Sequence, residues 1–257
     1  MKMKLSERLA AIAAIMLTTT ISAFSQVSRE YGVLLDYFNK NAISAYIEPG
    51  NDWTGLPSYG DRAGWDELFG PDKEWVIKTG EQCLDYQWSY IPATAYLEFE
   101  RSGDRSVMQT PDQLDLVAAS RLLAAELAEG KGRFIDQLAN AAWHATEKTS
   151  WVLSAHVPNQ RSGRSLPDGR EVTIDLGSAR MGALVSMIHY FFHDEFDKLD
   201  PSISLAVERA VRHHILDPYL GEEYTRLWWT GMTGRETQLN NWTPWCTSNV
   251  LICFLAM

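Results

Sequence analysis

Along most of the chain, apolar residues recur every three or four positions, the spacing that puts them on one face of an α-helix. Val27 to Ala45 places Val33, Leu34, Tyr37 and Phe38 together. A Gly/Pro-rich loop follows from Pro49 to Gly60, and the spacing predicts a helix over Asp61 to Lys78 through Trp65, Leu68, Trp75 and Val76. Pro92 marks a start for a helix over Ala93 to Arg101. Thr110-Pro111-Asp112-Gln113 reads as a capping box with Pro in the first turn, opening a helix that Gly130 stops. Arg133 to Lys148 keeps the helical period. Asp175 is placed to cap a helix through Phe192, and Asp200-Pro201 to start one through Ile215. Pro218 to Trp229 reads as another short helix. Val172-Thr173-Ile174 is the only strand-like run. Helix and turn alternate several times, which predicts an all-α fold of stacked helical hairpins.

Two segments break this pattern. Met1 to Arg8 carries Lys2, Lys4 and Arg8, Leu9 to Ile21 is mostly apolar, and Ala23-Phe24-Ser25 supplies small residues at the right offsets. Residues 1–25 are therefore expected to be a signal peptide, and residues 26–257 an exported protein in the periplasm or beyond. The apolar run is too short and too rich in Thr to read as a spanning helix. The second segment, Ser154 to Thr173, is a long piece punctuated by Pro158, Gly163, Pro167 and Gly169. Loops of that length are commonly functional.

Composition narrows the partners. The 257 residues hold 23 basic and 33 acidic side chains. An acidic balance argues against broad binding to nucleic acid or to a membrane surface. A polyanion would have to be held by a local site. Cys83, Cys246 and Cys253 make no disulfide framework; the last two lie about 10.5 Å apart along a helix axis. No metal or cofactor motif is evident, and His189 and His193, four apart on a helix, read as a helix-end pair interacting with the dipole.

The candidate chemistry gathers at Asn240-Asn241-Trp242-Thr243-Pro244-Trp245, ahead of the apolar run Val250 to Met257. Thr243-Pro244 predicts a helix start, with Thr243 as cap and Pro244 in the first helical position. Asn240, Asn241 and Trp242 then lie where unpaired N–H groups and the positive end of the dipole favour an anion. A polar loop followed by a buried helix accounts for the same pattern. Glu147, Trp151 and His156 form a second cluster where a helix runs into the long loop. Ten tryptophans, several at helix ends or in loops, raise the prospect of a carbohydrate groove.

Five motifs occur in one order: Ile91-Pro-Ala-Thr-Ala-Tyr-Leu-Glu-Phe-Glu-Arg101, Glu147-Lys-Thr-Ser-Trp151-Val-Leu-Ser-Ala-His156, Asp175-Leu-Gly-Ser-Ala, Ile215-Leu-Asp-Pro-Tyr219, and Asn240-Asn241-Trp242-Thr-Pro-Trp245. Together they resemble the N-terminal helical part of heparinase II/III-type polysaccharide lyases, from about Tyr31 onward. The resemblance implies an incomplete (α/α) toroid and β-elimination on a uronic-acid polysaccharide, with no cofactor. It implies that Asn241 neutralises the substrate carboxylate, beside Asn240. Trp242, Trp245, His156, Glu147 and Trp151 would contact substrate. Losing one preorganised donor to such an enolate-like state costs about 3–4 kcal/mol.

Thr243 stands where the family usually has Asn. The family's catalytic Tyr and a later His fall downstream of this motif, so the expectation is a truncated lyase that binds substrate without completing the reaction. Two rival readings are a hydrolase on a related helical toroid, using carboxylates such as Glu147 and Asp175, and a glycan-binding module without chemistry.

Overall fold

A computed structural model describes residues 52–160, 163–221, 229 and 240–257. The expected signal peptide and the helix over Val27 to Ala45 lie outside them, as does most of Pro218 to Trp229. The described residues are all-helical; the run Val172 to Ile174 is extended but forms no strand.

The helix expected over Asp61 to Lys78 is broken. Asp61 caps α1 (Arg62–Phe69) by accepting the Gly64 N–H. Gly70-Pro71-Asp72 then makes a short 3-10 turn before α2 (Lys73–Glu81). Pro71 has no N–H to continue the first helix, which is the local cause of the break. Next come α3 (Ala93–Ser102) and α4 (Ser106–Glu129).

The start of α4 also departs from expectation. The helix begins at Ser106, not at Thr110, and Pro111 stands inside it. Asp104 accepts both the backbone N–H of Ser106, at 2.8 Å, and its hydroxyl, at 2.6 Å, so an earlier residue caps the first turn. Pro111 removes the bond that would reach the Val107 carbonyl, on an exposed residue where water can serve instead.

The chain continues through α5 (Ile135–Glu147), a 3-10 turn over Ser154–Asn159, and α6 (Leu176–Leu199), longer than the expected end at Phe192. After α7 (Ser202–Val211) the helix widens into a π-helical turn, Arg212–Leu216, and closes with α8 (Asp217–Leu220). The last element is α9 (Trp242–Ala256). No helix among the described residues is long and apolar enough to cross a membrane.

One core joins these helices. Leu122, Ala125, Phe134, Leu138, Ala142, Ile188, Phe192, Val207, Val211 and Ile215 are all buried in it. α9 lies along α6, and α2 along α4. The α2–α4 approach needs Gly80: a Cβ there would stand 2.2 Å from the Cβ of Ala125. All three cysteines are free and buried, as small core residues.

Candidate functional site

α9 begins at Trp242, one residue before the expected cap Thr243. The backbone of Asn241 is already near helical values, with φ −64° and ψ −18°. Asn240 takes the capping role: its Oδ1 accepts the Trp242 N–H at 2.9 Å. The Thr243 hydroxyl donates instead to the Trp229 carbonyl, at 2.6 Å. Asn241 is exposed and its side chain makes no capping bond.

That side chain lines a groove of about 650 Å³. One wall is the first turns of α4, with Arg105, Ser106, Gln109, Thr110 and Gln113. Another is the start of α6, with Leu176, Gly177 and Arg180, and Asn241 and Trp245 of α9 close the end. Trp245 ties two of these elements together, because its indole N–H donates to the Leu176 carbonyl at 3.2 Å. Gly177 lets Leu153 into the wall; a Cβ there would come within 2.6 Å of the Leu153 Cγ.

Charge is distributed unevenly in this groove. None of its lining residues is Asp or Glu. Arg105 and Arg180 make no ion pair among the described residues; Arg105 stands over the Phe99 ring at 5.8 Å. Arg180 Nε and Gln109 Nε2 are fully buried with no hydrogen-bond partner. Both atoms are closed off from the groove's open space, so a ligand there meets the partly exposed remainder of each side chain. Three helix starts also meet here. Asp104 and Asp175 answer those of α4 and α6, whereas the first turn of α9 has no acid.

Asp175 organises the neighbouring loop. Its carboxylate is wholly buried and accepts from the Ser178 N–H at 2.7 Å and the Leu153 N–H at 3.1 Å. Nδ1 of His156 stands 2.6 Å from the same carboxylate. A carboxylate only accepts, so Nδ1 carries the proton and Nε2 is left as the other ring nitrogen. The His156 ring meets Trp242 edge-on, with centroids 4.6 Å apart. His156 thus braces the start of α9 from behind. Beyond it, Gln160 orders the long loop, donating to the Arg164 and Leu166 carbonyls at 2.8 Å each.

Two expected substrate contacts lie elsewhere. Trp151 is 2% exposed, its indole N–H bonded to the Ala145 carbonyl at 2.9 Å and its ring tilted over His214. It is a core residue with no face left for a sugar. Glu147 ends α5 on the surface, accepts from the Trp143 indole at 3.1 Å, and is not part of the groove wall. Asp175, one of the two carboxylates of the hydrolase reading, has its oxygens engaged and none exposed, so it is not placed to exchange a proton with substrate.

Further round α4 a buried polar cluster pairs within itself. Lys148 Nζ reaches Asp112 at 2.8 Å and Asp115 at 3.7 Å. Asp115 also accepts from the Tyr86 hydroxyl and the Ser89 hydroxyl, each at 2.9 Å, and meets His144 Nε2 at 3.1 Å. Burial alone would raise the Asp115 carboxyl, but His144, Ser89, Lys148 and Tyr86 hold it below the usual range. The same contact, with burial first, pushes the Tyr86 hydroxyl up to about 12. Burial also raises Tyr96, with Asp112 and Asp175 adding to it, so that hydroxyl stays protonated at neutral pH. Among the described residues no group of three or more His, Cys, Asp and Glu side chains is placed to hold a metal ion.

In comparisons with known proteins, the chain matches no protein-family model and no curated protein.

Arg105, Gln109 and Arg180 are groove residues that sequence reasoning missed. They come from two segments far from Asn241 in the chain. A signal did exist: Arg180 has Leu176, Gly177, Ala183 and Leu184 at three and four residues on either side, so it has no acidic helix neighbour.

Proposed function

We propose that this chain is the carboxylate-binding part of a polysaccharide lyase acting on a uronic-acid-containing polysaccharide, heparin-like or another acidic glycan. It is built on a toroid of helical hairpins and exported to the periplasm or beyond. The observation that carries this reading is the groove: Asn241, Trp245 and two arginines that make no ion pair among the described residues share one wall without an acid, in a chain of net charge −10.

In β-elimination a base removes the C5 proton of the uronate, and the electron pair moves toward the carboxylate as an enolate. It then returns to form the C4–C5 double bond as the C4–O bond breaks. Charge builds on the carboxylate oxygens, so donors fixed around them lower the barrier. Asn241 supplies an amide N–H to one oxygen, and Arg180 faces the other with a planar pair of donors. Asn240 fixes the turn that presents Asn241. Trp245 stacks on a sugar ring. His156, through Trp242, keeps that turn in place. The groove wall holds no Asp, Glu, His, Cys or Tyr among the described residues, so neutralisation of the carboxylate is the role assigned to this chain.

That last observation also favours a second reading, a glycan-binding module without chemistry. Incubation with an acidic polysaccharide separates the two. The lyase reading predicts the ultraviolet absorbance of an unsaturated uronate, and its loss in Asn241→Ala. The module reading predicts binding that depends on Trp245 with no such absorbance. Unchanged binding of acidic oligosaccharide by Asn241→Ala sinks the role given to Asn241 in either case.

A further inference from the structure

The groove does not end at Arg180. A second depression, of about 340 Å³, shares Gln113 and Arg180 with the first and continues along the same face of α4. Arg121 and Ser120 line it, and Trp75 of α2 stands at its far end, 67% exposed. It too has no Asp or Glu in its wall. Arg121 is exposed and makes no ion pair among the described residues, and its helix neighbours Val117, Ala118, Ala124 and Ala125 include no acid. Beyond Trp75 the character changes: the next depression is walled by Asp72 with Leu68 and Phe69.

Three arginines that make no ion pair among the described residues, Arg105, Arg180 and Arg121, therefore follow one another along a single path. Between Gln109 and Arg121 that path runs about 18 Å by the helical rise, long enough for several sugar rings. An exposed indole bounds it at each end, Trp245 at one and Trp75 at the other. Guanidinium groups spaced along a track, with aromatic plates at its ends, suit a chain of anionic sugars better than a single one. We infer that the α4 face from Arg180 to Trp75 is an extension subsite, holding a second acidic residue of the oligosaccharide on Arg121 and stacking a further ring on Trp75. This rests on the reading of the first groove as an acidic-sugar site.

The test is titration of the 257-residue chain with oligogalacturonates of two, four and six residues, followed by calorimetry. Affinity should rise with length. Arg121→Gln and Trp75→Ala should each weaken the hexamer about threefold to tenfold and leave the dimer unchanged, as expected for one exposed ion pair or one stacked ring. Arg180→Gln should weaken every length. Both extension residues are exposed, so circular dichroism should show intact folds. Equal affinity at all lengths, or a hexamer indifferent to both substitutions, overturns the extension and leaves the first subsite standing. No binding at any length overturns both.

Discussion

Two faces of α4 treat charge in opposite ways. On one face Asp112 and Asp115 are buried, and Lys148, His144, Tyr86 and Ser89 meet them at hydrogen-bond distances. On the other face Arg180 and Arg121 border a groove with no carboxylate in its wall, and Arg180 Nε and Gln109 Nε2 are buried without an acceptor. The first arrangement satisfies itself and holds helices together. The second leaves guanidinium charge without a carboxylate partner among the described residues. Within one helix, the contrast separates side chains that serve the fold from those available to a ligand.

Breaking the satisfied side should have the largest effect. Lys148→Met leaves the buried Asp112 and Asp115 without the ammonium that both approach, and should cost about 3 kcal/mol in denaturant unfolding. A loss under about 1 kcal/mol would mean that water reaches the cluster and the pair is a surface one.

Acid should act on the same interior. Burial, with His193 nearby, holds His189 down from 6.5 to about 4; Asp197 opposes this, and Glu208 stands 3.9 Å away. Burial, with His213 nearby, does the same to His214, from 6.5 to about 4, against a hydrogen bond to the Lys148 backbone. The unfolded chain takes up protons near pH 6.5 that the folded chain does not take up until about pH 4. Stability from these groups is therefore complete above the unfolded value and falls as pH drops toward the folded one, by at most about 3 kcal/mol per ring. The melting temperature should decline across that window, and less steeply in His214→Phe. A flat profile would show both rings to be open to water. The carboxylate contribution of Asp115 is lost only at lower pH, since its folded value lies below the ordinary one.

The groove side predicts the reverse balance. Arg180→Gln should change unfolding free energy by less than about 0.5 kcal/mol, because the guanidinium makes no ion pair or hydrogen bond among the described residues. It should weaken an acidic oligosaccharide about tenfold, near 1.4 kcal/mol. Strong destabilisation with unchanged binding would turn Arg180 into a structural residue.

Much of the fold could be read from periodicity: helix after helix, the cap at Asp175, the stop at Gly130. Where the reading slipped, a nearby competitor decided the outcome. Asp104 captured the first turn of α4 ahead of Thr110, and Asn240 captured that of α9 ahead of Thr243. Both signals were local, and side chains a few residues upstream satisfied the same donors first. The site was legible only in part. Asn241 and Trp245 announced themselves by sitting at a helix start. Trp151 and Glu147 carried a similar local pattern, but tertiary packing buried the ring of the first, and the Trp143 indole one turn earlier on the same helix engaged the carboxylate of the second. Arg105 and Gln109 entered the groove through the meeting of α4, α6 and α9, which no local spacing encodes. Arg180 and Arg121 differ from Arg133, which pairs with Glu129 four residues before it. An arginine without an acid within one helical turn was the one trace of them in the sequence.

The most direct test compares an oligogalacturonate with its fully methyl-esterified form, identical in shape but without carboxylate charge, by calorimetry on the wild-type chain and on Asn241→Ala. The acid should bind at least tenfold more tightly than the ester, and that preference should shrink in the variant. Equal binding of acid and ester, or a preference that survives Asn241→Ala unchanged, would contradict a carboxylate held at the start of the last helix.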